Sequence, residues 1–593
     1  MAADSVPSRT GLARSEQLDD WQEPSVQWGS DRIAQLLRHT GIEYICLNPG
    51  SSFRGLHDSL VNFLGNRSPS IMLCLHEEHA AAIAHGYAKV TGRPMAIALH
   101  ANVGLMHATM AIFNAWCDRV PMLVLGATGP VDAAKRRPYI DWIHTMRDQG
   151  ALIRPFIKWD DQPASIEAME EAFLRAMQIG STAPAAPVYL NLDSIIQEAP
   201  YEPSSAPAID HDRFKPIAAP APDPDMLAAA MEILVKAERP AILMGRVSRD
   251  PEDWKRRVSL AEKLGARVAT DLKAGSAFPT AHPLHAGIPG MSLTTSAKDV
   301  LREADVILSL DWVDLAGALS TIWPDEPAPA KVIQVSVDHH VHNGFSFDHL
   351  ALPPVDLHFA TTPQRFVAAL EAQLPEARAP STLSAPAPAP VAPPQTGELT
   401  LAHIASALRD AVGDTPVSLT RLPLGWDGAL WTFDHPLDQL GHSGGGGVGS
   451  GPGMTVGSAL ALGDSGRIPV GILGDGDTVM GVSAIWTATH CSVPMLIIVA
   501  NNRSFFNDEV HQERVARRRG RPVENKWIGQ RISDPDVDIA ALATAQGAEA
   551  WGPVADFDEL NGTMRKAIAS VRAGKVALID VHIGLGYDGT GAS

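Results

Sequence analysis

The chain has 593 residues, of which 45% are hydrophobic and 19% charged, an ordinary globular balance with material for several cores. About 150 residues per domain gives a prior of roughly four domains, and three large ones fit as well. Lys and Arg number 48 against 67 Asp and Glu, a net charge of −19; that field disfavours nucleic-acid binding while leaving room for a local patch that holds one small anion.

Residues 1–25 carry acids early and no apolar run, so they read as a flexible tail rather than an export signal. No stretch approaches the ~20 apolar residues that span a bilayer, so no membrane partner is expected. Cys46, Cys74, Cys117 and Cys491 lie far apart with no CxxC pair. A disulfide framework or zinc ribbon is therefore not expected, and a reducing, cytoplasmic compartment is.

Two Pro-rich stretches, 198–224 and the Ala/Pro run 376–396, favour extended backbone and cannot build a core. As linkers they leave segments 26–197, 225–375 and 397–593. In the first, EYICLN, MAIALH, PMLVLGA and PVYLNL read as strands. In the second, AILMG, ARVAT, DVILSL and KVIQVSV do so. In the third the candidates are VGILGDG, PMLIIVANN and VALIDVHI. Such apolar, β-branched runs alternating with helical patterns predict buried parallel strands in βαβ units. The expected fold class is α/β, with three doubly wound parallel-sheet domains that bind ligands at the carboxyl ends of their strands.

Five patches of polar chemistry punctuate this pattern. LNPGSS (47–52) follows the first strand. LHEEHAAAIAHGYAKVTGRP (75–94) joins a strand end to a small-residue helix, with Glu77 and Glu78 in its first turn, where the macrodipole favours acids. LHANVG (99–104) is a third turn. GHSGGGGVGSGPGMTVGSALAL (441–462) is Gly-rich and leads into an Ala-rich helix, which suits close approach of backbone to a ligand better than a free linker. Last, Gly474-Asp475-Gly476 ends one apolar strand and Asn501-Asn502 ends the next. Asp475 and Asn502 are 27 residues apart, about one strand–helix–strand excursion. Their side-chain oxygens can meet above one sheet edge, and hard oxygens beside a helix N-terminus suit Mg²⁺ carrying a diphosphate.

With GDG, a gap of about 25 residues and NN, and with the H-E-x-x-A…GYA…TG pattern upstream, the chain resembles the thiamine diphosphate enzymes of the acetolactate synthase, benzoylformate decarboxylase and pyruvate decarboxylase group. The resemblance covers nearly the whole chain past the tail. It implies pyrimidine-binding, central and diphosphate-binding domains in that order. Asp475, Asn502 and the Ser504 carbonyl would ligate Mg²⁺, and Gly476, Asp477, Asn502, Ser504 and Phe505 would line the diphosphate. A serine often follows GDG in the family; a carboxylate, Asp477, stands there here, and it would repel phosphates unless it turned away.

The resemblance further implies that Glu77 meets the cofactor pyrimidine and activates it, as a buried and directional carboxylate can. Pro49 would lie in the cofactor-binding N-P-G-S turn, Ser51 would hold the substrate carboxylate, and His100 would relay protons. Val448 would be the apolar wedge that bends the cofactor. Asp508 is the acid expected in the substrate pocket, with Glu509 and His511 as rivals and Phe505 and Phe506 as an apolar wall, and Leu422 falls near the position where benzoylformate decarboxylase has a polar group. The substrates implied are 2-oxo acids or aldehydes, and the partner is a second copy of the chain, in a homodimer or homotetramer with shared sites. Decarboxylation, carboligation or both fit. The alternative is a 2-hydroxyacyl-CoA lyase or oxalyl-CoA decarboxylase type of enzyme, for which the basic run Arg514–Arg521 would hold the thioester's phosphates; a solvated helix face is the plainer reading of that run. The central segment has no complete GxGxxG, so a second cofactor is not indicated, and His282 and His285 read as structural.

Overall fold

The computed structural model describes residues 16–18, 20–201, 210–340, 353–374 and 397–586. The Ala/Pro linker 376–396, most of the N-terminal tail and residues 202–209 of the first linker lie outside the described residues.

Among the described residues, sixteen strands form three wholly parallel sheets. The first contains β1 (Tyr44–Leu47), β2 (Ser70–Leu73), β3 (Ala96–Leu99), β4 (Met122–Thr128), β5 (Trp159–Asp161) and β6 (Pro187–Asp193), in the order β2-β1-β3-β4-β6-β5. The second contains β7 (Pro240–Met244), β8 (Arg267–Thr270), β9 (Val306–Leu310), β10 (Lys331–Val335) and β11 (Leu357–Phe359), in the order β11-β10-β9-β7-β8. The third contains β12 (Val417–Arg421), β13 (Ile468–Gly474), β14 (Met495–Asn501), β15 (Glu549–Val554) and β16 (Val576–His582), in the order β12-β13-β14-β16-β15. The fold is α/β with three parallel-sheet domains. Each apolar run marked as a strand forms one. β2 was read only as the strand end before His76, and the short or polar β5, β11, β12 and β15 were not marked: WDD in β5 and a half-exposed EAWGPV in β15 carry too little apolar signal.

The central strands are buried on both faces, with every residue of β4, β6 and β14 sealed from solvent. One apolar cluster runs without a break from the first domain (Met72, Ile97, Trp116) into the third (Met454, Leu473, Ile497). The seam is a pair of helices, Glu77–Thr91 and Gly451–Leu462. Their small residues let backbones touch: a Cβ on Gly86 would collide with the Met454 carbonyl, and one on Gly457 with that of Ile83. Ser458 Oγ donates to the Gly86 carbonyl at 3.2 Å across the same seam. The first helix starts at the His76 cap, whose Nδ1 accepts the Glu78 N–H at 3.1 Å, and stops at Gly92 with φ +65°.

Candidate active site

Strand order decides where the chemistry collects. β13 and β14 are neighbours, with Gly474 level with Ala500, so the GDG turn and the Asn-Asn pair leave the sheet side by side. Asp475 is 4% exposed. Its Oδ2 accepts the Ser504 N–H at 3.0 Å, and Asn502 Oδ1 accepts the same N–H at 3.0 Å. Two hard oxygens from different strand ends thus face one point, and the Ser504 backbone is beside them. Burial pushes the Asp475 carboxyl up to about 6, against the pull of the Gly476 and Ser504 N–H groups. A cation here would repay that cost.

These residues wall a cavity of about 330 Å³, together with Arg421, Leu422, Val448, Gly476, Asp477, Phe505, Phe506 and Asp508. Val448 is 44% exposed and projects from a run in which Gly446 and Gly449 have φ of +71° and +103°, conformations that favour glycine. Gly476 is required for space, since a Cβ there would meet the Phe505 ring. Donors, hard oxygens and an apolar wall at a strand-end crevice are the chemistry that a metal-bound diphosphate with an organic body requires.

Asp477 does turn away. Its Oδ1 accepts the N–H groups of Gly449 at 2.7 Å and Gly451 at 3.2 Å, so the carboxylate is spent on the glycine run and the start of the Gly451–Leu462 helix. Glu509 is corrected as a substrate-pocket rival: it is 1% exposed and accepts the Ser504 hydroxyl at 2.6 Å, which makes it a prop under the Ser504 turn. Asp508 and His511 are exposed. The basic run lies on the outside, where Arg517 pairs with Glu513 at 2.6 Å and Arg518, Arg519 and Arg521 face solvent.

The first-domain residues gather elsewhere. Glu77, 6% exposed, bonds through Oε2 to His107 Nδ1 at 2.9 Å, and its Oε1 faces Gly104, where any side chain would crowd it. The His107 ring stacks on His76, with centroids 4.9 Å apart. Glu78 is half-buried and accepts the Ser450 hydroxyl at 2.8 Å, linking this corner to the glycine run. Burial raises its carboxyl, and Asp477 adds to the rise.

His100 packs edge-on against His144 at 4.4 Å, and burial, then His144, lowers its pKa. Ser52, rather than Ser51, touches it: Ser52 Oγ lies 2.9 Å from His100 Nδ1, while Ser51 and Pro49 are exposed. None of Pro49, Ser51, Glu77 and His100 walls the cavity that holds Asp475. Sequence reasoning missed Ser52, His107 and His144. His107 stands seven residues after His100 on the next helix turns, a spacing that was available to find it. His282 and His285 bond Glu262 and Thr270, as structural histidines do.

Three family models match the chain in succession: the thiamine pyrophosphate enzyme N-terminal TPP binding domain over 27–152, the central domain over 227–351 and the C-terminal TPP binding domain over 425–581. The chain is 26% identical to a benzoylformate decarboxylase of Pseudomonas aeruginosa over 560 residues, which are 91% of this chain and 96% of that one. It is 27% identical to the acetolactate synthase isozyme 1 large subunit of Escherichia coli over 492 residues, covering 82% and 83%. Among solved structures, a thiamine diphosphate-dependent 4-hydroxybenzoylformate decarboxylase of Rhodococcus jostii shares the fold with a TM-score of 0.78 at 22% identity, covering 95% of this chain and 100% of that one.

Proposed function

The chain belongs to the thiamine pyrophosphate (thiamine diphosphate) enzymes, and from that premise we propose that it decarboxylates a 2-oxo acid with thiamine diphosphate and Mg²⁺, with or without joining the product to a second carbonyl. The observation that carries this reading is the convergence of Asp475 and Asn502 on the Ser504 turn, inside a cavity walled by Leu422, Phe505 and Phe506. Bound there, the cofactor would supply a nucleophilic carbon and a sink for the electrons released with CO₂.

The chain's own residues would do the following. Asp475, Asn502 and the Ser504 carbonyl would hold Mg²⁺, Gly476 and Phe505 would flank the diphosphate, and Val448 would pack against the cofactor's apolar body. Glu77 holds the proton at pyrimidine N1′, kept directional by His107 on one oxygen and by Gly104 against the other. Ser51 and His100, beside Ser52 and His144, are the candidates for gripping the substrate carboxylate and passing a proton. Asp508 stands at the cavity wall for later proton traffic.

The site is completed by a second copy of the chain, in a homodimer or homotetramer. Two features support this: Glu77 stands outside the cavity of its own chain, and the Ala101–Cys117 helix beside it leaves Val103, Met106 and Met110 exposed at i, i+3 and i+7. The substrates are small acids or aldehydes. No helix among the described residues is long and apolar enough to cross a membrane. The cytoplasm is the proposed compartment, in keeping with four free thiols.

The deciding experiment is CO₂ release from aliphatic, aromatic and CoA-linked 2-oxo acids, with thiamine diphosphate and Mg²⁺ added. Release that requires both additions is expected from at least one free acid. Turnover of CoA thioesters alone would replace this reading by the thioester one, and saturating cofactor with no measurable binding would remove it.

A further inference from the structure

Arg421 ends β12 at the rim of the Asp475 cavity and is 7% exposed. Its Nε and Nη1 are sealed from solvent without a hydrogen-bond partner among the described residues. Three N–H donors on a permanent charge, buried and unused, are costly unless something unseen accepts from them. Its nearest anion is Asp477, with Oδ2 3.9 Å from Nε, beyond hydrogen-bond reach. Asp118 is the other acid that acts on it, and Lys89 is a neighbouring cation. Asp477 cannot swing closer without leaving Gly449 and Gly451, whose N–H groups its other oxygen accepts.

The geometry points to Arg421 as an oxyanion-binding residue of this cavity, whose ligand is the terminal diphosphate of the cofactor, with Asp477 as its loose counter-ion when no ligand is bound. The inference rests on the thiamine diphosphate reading and adds a residue to it. It also explains how a carboxylate is tolerated after GDG: Asp477 is tied to the glycine run on one side and faced by a cation on the other. A planar guanidinium is the group best matched to a phosphate edge.

Calorimetric titration of the full-length protein with thiamine diphosphate and Mg²⁺, and separately with inorganic pyrophosphate and Mg²⁺, tests it. Arg421→Met is expected to weaken both by about 10- to 100-fold, the loss of a hydrogen bond to a charged group. Asp477→Asn removes the competing anion and is expected to tighten both. Without ligand, Arg421→Met is expected to melt no lower than wild type, because a buried and unpaired charge has been removed. Wild-type affinity in Arg421→Met would overturn the proposal. So would a raised KM for the 2-oxo acid with unchanged cofactor affinity, which would give Arg421 to the substrate carboxylate. Should Arg421→Met not fold, Arg421→Lys takes its place: an ammonium lacks the fork, so equal affinity there would also overturn it. A wild-type protein that binds pyrophosphate through Arg421 but not thiamine diphosphate would retire the functional reading and leave the oxyanion site standing.

Discussion

At the scale of single residues, two carboxylates are held in opposite ways. Asp475 is pushed up to about 6 by burial, so it is poised to lose its proton to a cation. Asp475→Ala should weaken thiamine diphosphate binding at least tenfold in the presence of Mg²⁺, because octahedral Mg²⁺ demands its hard anionic ligands. Unchanged affinity by calorimetry would remove Asp475 from the metal. Glu77 is held by His107 through one oxygen, and its other oxygen rests against Gly104. Glu77→Gln keeps the shape and loses the charge, so deuterium exchange at C2 of the bound cofactor should slow about 10²–10⁴-fold by NMR, together with turnover. Asp508→Asn should lower turnover while leaving C2 exchange near wild type, because Asp508 lies in the Asp475 cavity, away from Glu77, and would act later. Exchange at the wild-type rate in Glu77→Gln would move the activating role to Glu78.

At the scale of elements, the seam between the Glu77–Thr91 and Gly451–Leu462 helices sets the distance between the pyrimidine corner and the glycine run. Gly457→Ala would drive a methyl into the Ile83 carbonyl, and two helix backbones would have to part. A loss of about 2 kcal/mol is expected from denaturant melts, with a larger loss of cofactor affinity than a surface Gly→Ala such as Gly562→Ala would cause.

Beyond the helix pair lies a buried charge cluster. Asp118 accepts from Lys89 Nζ at 2.5 Å and meets His85 Nε2 at 2.8 Å, and Lys89 also donates to the His442 carbonyl, tying the first domain to the third. Burial alone would raise the Asp118 carboxyl, but Lys89 and His85 hold it well below the usual carboxylate range. A carboxyl depressed in the folded state stabilises fully above its unfolded value near 4 and loses that contribution as pH falls through the depressed one. Asp118→Asn should therefore cost about 3 kcal/mol at pH 7, and the gap to wild type should narrow below about pH 4. A gap independent of pH would mean that the charge is not what holds the seam.

At the scale of the whole molecule, the two halves of the proposed chemistry come from different domains of one chain. Glu77 and His100 lie in the first domain, outside the cavity that Asp475, Asn502 and Val448 build in the third. A shared site between two copies predicts complementation: mixing inactive Glu77→Gln and Asp475→Ala proteins under conditions of subunit exchange should restore part of the activity, through one intact site per mixed dimer. Exchange demonstrated by mass-tagged subunits with no recovered activity would exclude a shared site.

The sequence by itself determined the three α/β domains, because continuous apolar strands between helical stretches leave few other ways to bury both faces of a sheet. It also marked the GDG and Asn-Asn turns, since glycines, a short carboxylate and a strand-end amide are local features with a fixed separation. Only the tertiary structure decided the rest. That Asp475 and Asn502 meet follows from β13 and β14 being neighbours in the sheet. That Ser52 rather than Ser51 touches His100, that His107 holds Glu77, and that Asp477 serves the glycine run all depend on which side of a turn a side chain leaves. Arg421 carried no signal in the sequence, where it stands as one Arg in SLTRLPLGW. Its lack of a partner appears only once distant stretches of chain, β13 and the glycine run among them, pack around it, for burial is a property of packing and is not written in any local pattern.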